Sequence, residues 1–209
     1  GYGIGDGNAS GAHSGWTVEN CVIHDCRSAI WNNKPSSFTF RNNEVYNNYS
    51  KRLYLQATES FTCTGNFFHS ATRTSGEAVI WWTAGNDPAA AGDTEISYNY
   101  ISGGRATMVI EGGGPLSPSG SRTLTIAHNT LDGMMGQWLQ AGDYSSQLIS
   151  FWDNSGATYD PSKISVRDNL VVESRWYGMY NGEGSTGGLA GDLAVTNSLF
   201  HNNYSYDDW

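Results

Sequence analysis

Basic residues are scarce. Eleven Lys and Arg stand against twenty Asp and Glu in 209 residues, a formal net charge of −9. So acidic a chain lacks the cation clusters that nucleic acid and anionic membranes select, and neither is expected as a partner. Cysteine is scarcer still: Cys21, Cys26 and Cys63 show no metal-ligand spacing. Buried small thiols are the expected state, with a Cys21–Cys26 disulfide as the alternative. No stretch of about 18 apolar residues occurs, which predicts no membrane-spanning helix. No signal peptide stands at the start, and Gly1 opens the chain without Met, as in a mature product or a portion of something longer. His13, His24, His69, His128 and His201 carry no HExxH-like spacing, so no metal and no cofactor are expected. His24, His69 and His201 share the place just after an apolar residue, which predicts a turn column.

Runs of good helix formers are missing too. Gly (26 residues), Asn, Ser, Thr and aromatics fill the chain instead, which suits short strands and tight turns. Within that background one phrase recurs: an apolar residue, two mostly polar ones, usually Asn, any residue, and a second apolar residue. It runs Val18 to Ile23, Phe40 to Val45, Cys63 to Phe68, Ile96 to Ile101, Ile126 to Leu131, Val166 to Val171 and Val195 to Phe200. Its fourth place holds Asn43, Asn66, Asn99, Asn129 and Asn169, with Cys21 first and Ser198 last. Successive fourth places lie 22, 23, 33, 30, 40 and 29 residues apart. A floor near 22 with a variable excess excludes helical repeats, which keep a more constant length, and fits coils of short strands with inserted loops. The predicted fold is all-β: a parallel β-helix of about seven coils, right-handed by the rule for parallel crossovers. At about 4.8 Å per coil the rod is about 34 Å long. One domain, 1–209, is expected.

The h-x-x-N-x-h phrase with its Gly-rich turns resembles the parallel β-helix repeat of the pectate-lyase-like superfamily, over nearly the whole chain. That resemblance implies the fold and leaves function open among polysaccharide lyases, glycoside hydrolases, epimerases, tailspikes, adhesins and non-enzymatic surface proteins. With the acidic composition it implies an extracellular or cell-surface setting. The chain lacks the Gly-His-Gly signature of polygalacturonase-like hydrolases and the calcium-binding nonapeptide repeats.

The five asparagines are expected to be scaffold. A buried Asn satisfies backbone groups at a sharp corner, and stacked coils bring like amides into hydrogen-bonding range.

After each phrase comes a second apolar strand: Ala29–Trp31, Tyr54–Gln56, Val79–Trp81, Val109–Glu111, Trp138–Gln140 and Gly178–Tyr180. Inserts Thr83 to Asp93, Gly112 to Arg122, Ala141 to Lys163 and Asn181 to Asp192 follow it, which predicts a loop wall at one corner. If Ile30, Leu55, Ile80, Ile110, Leu139 and Met179 point inward, their successors form an outward column: Trp31, Gln56, Trp81, Glu111, Gln140 and Tyr180. Tyr54 and Trp138 flank it. Rings among amides suit a sugar polymer, stacking on C–H faces while amides bond hydroxyls; cover by neighbouring loops is the competing expectation.

For catalysis the candidates are Glu111 and Arg105. Arg27, Arg105 and Arg175 each stand six residues after the fourth place, with Arg73 one later; Glu77, Asp132, Asp143, Asp153 and Glu173 are further acids. The resemblance implies an Arg or Lys base for a lyase, whereas a hydrolase needs two facing carboxylates. The expected partner is thus a polysaccharide or glycan, bound and possibly cleaved in a groove. The alternative is a structural or adhesive module. Tyr2 to Gly7 is similar to Tyr177 to Gly182, the ends are nearly in phase, and no capping helix is visible, which would suit end-to-end stacking.

Overall fold

The computed structural model describes residues 1–5, 15–33, 37–56, 60–69, 78–83, 92–103, 107–111, 116–133, 148–152, 159–173, 178–181 and 193–201. These form three seven-stranded sheets in which every pairing is parallel and joins successive coils. The first sheet comprises Ile4–Gly5, Ile30–Asn33, Leu53–Gln56, Ile80–Thr83, Met108–Glu111, Ile149–Trp152 and Met179–Asn181. The second comprises Trp16–Glu19, Ser37–Arg41, Ser60–Thr64, Thr94–Ser97, Leu124–Ala127, Ile164–Arg167 and Val195–Thr196. The third comprises Val22–His24, Glu44–Tyr46, Phe67–His69, Tyr100–Ser102, Thr130–Asp132, Leu170–Val172 and Leu199–His201. No α-helix occurs among the described residues; one 3₁₀ turn, Pro161–Lys163, leads into the second sheet.

Alternating side chains from all three sheets meet in one core. Leu53, Leu55, Phe61, Cys63 and Phe68 have no exposed surface, and neither do Ile80, Trp82, Ile96 and Ile101. Phe38 stacks on Phe61 at 5.9 Å and Phe40 on Phe68 at 6.0 Å, so aromatic rings continue the ladder inside the rod.

The recurrent phrase is the corner between second and third sheets. Its third residue has a left-handed backbone in every coil: Asn20, Asn42, Gly65, Tyr98, His128, Asp168 and Asn197, with φ from 51° to 68°. That conformation turns the chain sharply and aims the next residue inward. Asn43, Asn66, Asn99 and Asn129 each donate both the backbone N–H and Nδ2 to Oδ1 of the asparagine one coil on, at 2.9–3.1 Å. Nδ2 also donates back to a carbonyl of the preceding coil: Val18, Phe40, Cys63 and Ile96. Cys21 N–H donates to Asn43 Oδ1 and Asn169 N–H to Ser198 Oγ, so the odd residues occupy the same column.

Three expectations need correction. The first-sheet strand in register after Met108–Glu111 is Ile149–Trp152, where residues 138–140 were expected. The long insert therefore precedes that strand, and connecting segments leave from both edges of the first sheet rather than from one. His24, His69 and His201 end strands of the third sheet instead of forming a turn column. The cysteines are free thiols as expected, but only Cys63 is buried; Cys21 and Cys26 are half-buried.

Candidate functional site

The outward face of the first sheet carries two columns. Strand pairing aligns Gly5, Trp31, Tyr54, Trp81, Val109, Ser150 and Tyr180 in one of them. Gln56, Thr83 and Glu111 occupy the other, with Asn33 and Trp152 in backbone register with them. The inward–outward parity expected from alternation is present: Ile30, Leu55, Ile80 and Ile110 are buried, and Trp31, Gln56, Trp81 and Glu111 are half-buried. The lateral alignment differs. Trp31 neighbours Tyr54, not Gln56, and Glu111 neighbours Thr83, not Trp81, so the expected mixed column is two separate ones.

Along the first column the rings touch in sequence, with Tyr2, just before the first strand, at its start. Tyr2 lies 4.9 Å from Trp31, Trp31 packs edge-on to Tyr54 at 4.6 Å, and Tyr54 meets Trp81 at 6.1 Å and 87°. Lys51 Nζ sits between the last two, 4.2 Å from the Tyr54 centroid and 3.8 Å from that of Trp81. Such a cation–ring contact holds the ammonium at the face of the sheet. Arg27 lies 5.8 Å from the Tyr2 ring. Farther along, Trp81 packs with buried Ala78 and Val109, and Ser150 has no exposed surface. Cover by neighbouring chain thus applies at Val109 and Ser150. Beside the rings, Thr83 Oγ1 donates to Glu111 Oε2 at 3.1 Å. Among the described residues no group of His, Cys, Asp and Glu is arranged to hold a metal ion.

A family description, the right-handed β-helix region, matches residues 1–207. The chain belongs to the right-handed β-helix family. No curated protein and no solved structure matches it. In this β-helix protein, Trp31, Tyr54, Gln56, Trp81 and Glu111 stand on one face, and Tyr180 holds a position on the same sheet. Arg105, Trp138 and Gln140 lie outside the described residues, as do Arg73, Arg175, Glu77, Asp143 and Asp153. Asp132 and Glu173 lie away from this face, at the end of a third-sheet strand and just beyond another. Lys51 escaped the sequence reading because it precedes its strand, where alternation assigns no face.

Proposed function

We propose that this is an extracellular β-helix protein that binds polysaccharide along the outward face of its first sheet. One observation supports the reading above all: Tyr2, Trp31, Tyr54 and Trp81 form a continuous ring row whose members advance one coil at a time. Rings bury large apolar area and keep a polar edge, so a row of them suits successive sugar residues. Lys51 adds a cation for a uronate carboxylate, and Gln56 and Thr83 offer hydroxyl partners in the adjoining column. Glycoside hydrolysis calls for two carboxylates flanking the bond. Of the two outward columns just described, only Glu111 contributes one, which favours binding over hydrolysis.

The test is affinity electrophoresis against pectate, alginate, xylan and β-glucan, with product analysis for reducing ends and unsaturated sugars. Retarded migration that Trp31→Ala and Trp81→Ala together abolish is the expected result. Unretarded migration in every polymer would refute the reading, and new products would extend it to cleavage.

A further inference from the structure

The third sheet has an outward face of its own. Phe67 stands near its middle with 45% of its surface exposed. Its ring meets His69 at 4.5 Å and Tyr100 at 5.1 Å, tilted by 33° and 36°. Nearby His24, Tyr46 and His69 stack at 4.8 and 5.0 Å with interplanar angles of 3° and 22°. Near-parallel rings cover one another, whereas Phe67 meets its neighbours at a tilt and keeps nearly half of its surface exposed. Polar pairs bound it on either side. His69 Nε2 lies 2.9 Å from Glu44 Oε1, and the Tyr100 hydroxyl donates to Asp132 Oδ2 at 2.8 Å. Burial, and then the bond to Asp132, push the Tyr100 phenol above its ordinary range, so it stays a donor.

Size and polarity decide what fits. A stable protein interface needs a broad desolvated centre, and here Glu44 and Thr130 interrupt the outward column, setting Phe67 apart from exposed Val22 and Leu170. Insertion into lipid would strand two carboxylates. A single pyranose presents a C–H face to one aromatic ring and hydroxyls at its rim, and a carboxylate has about four acceptor sites for them. We infer that Phe67 is the platform of a monosaccharide-sized carbohydrate subsite on the third sheet, with the Glu44–His69 and Tyr100–Asp132 pairs holding the sugar hydroxyls. This site is independent of the first-sheet row.

Saturation-transfer NMR with cellohexaose and with trigalacturonate tests it, on wild type, Trp31→Ala/Trp81→Ala, Phe67→Ala, and the triple variant. Phe67 is exposed, and circular dichroism checks that each variant folds. The double variant is expected to keep a transfer signal for at least one probe. Adding Phe67→Ala should weaken that affinity about tenfold, and Phe67→Trp in the same background should keep it. A double variant with no signal, or one whose signal is unchanged by Phe67→Ala, overturns the subsite. If Phe67→Ala alone abolishes binding while the double variant binds as wild type, the subsite stands and the first-sheet reading fails.

Discussion

The backbone N–H and the side-chain amide of Asn66 both donate to one oxygen, Oδ1 of Asn99, each at 2.9 Å. Asn66 in turn accepts the same pair of bonds from Asn43 and donates to Phe40 O. One side chain thus ties three coils together while only 2% exposed.

Asn66→Asp is the sharpest test of that tie. The change removes both amide donors and buries a charge, so a loss of about 3 kcal/mol is expected. Its folded-state carboxyl will be pushed above the unfolded value. The variant's deficit against wild type should therefore narrow as pH falls and the carboxyl takes up a proton. Urea unfolding at pH 7 and pH 5 measures both effects.

Gly65 holds φ at +68°, and a Cβ there would meet Asn42 Oδ1 at 2.6 Å. Gly65→Ala should cost about 1–2 kcal/mol, which for a chain of this length lowers Tm by about 4 °C. Thermal denaturation followed at 218 nm would show it; an unchanged Tm would mean that the corner relaxes freely.

Adjacent tryptophans should fail differently. Trp82 is fully buried between Leu55 and Ile110 in register, so Trp82→Ala should destabilise by about 3–5 kcal/mol. Trp81→Ala should lower polysaccharide affinity several-fold and cost less stability. Paired unfolding and binding titrations separate the two outcomes.

Thiol chemistry gives a further check. Burial pushes the Cys63 thiol far up, and burial also raises that of Cys26, whose Sγ lies 2.8 Å from Asn48 Nδ2. Because the thiolate is the nucleophile, iodoacetamide at pH 8 should label Cys63 only after denaturation and Cys26 slowly. Peptide mass spectrometry with and without urea reads the order.

Coil number, sheet parity and the corner asparagines were legible because like positions recur at every corner whatever the loops do. Alignment across coils was harder. Variable segments reset the count before each first-sheet strand, so Tyr54 was set one column away from Trp31 and Trp81. Trp138–Leu139–Gln140 drew the assignment because a short apolar triplet has no period to test, while Ile149–Trp152, the strand in register with Met108–Glu111, carries a Ser at its outward place. The left-handed corner residues include Asn, Asp and Gly, a usable signal, but Tyr98 and His128 mask it. Phe67 was visible only as the spacer residue of the phrase. Nothing in the sequence marks the angle at which its ring meets its neighbours.

The link between the second and third sheets is two residues long in every coil, while the other two corners carry segments from 34–36 up to 133–148. Chain length can therefore grow at two edges of the rod and not at the third, which works as a selvedge. An engineer can splice a foreign loop beside the first sheet at any coil and leave every strand in step. A single residue added at the stitched edge would throw that coil's asparagine out of line with those on either side of it.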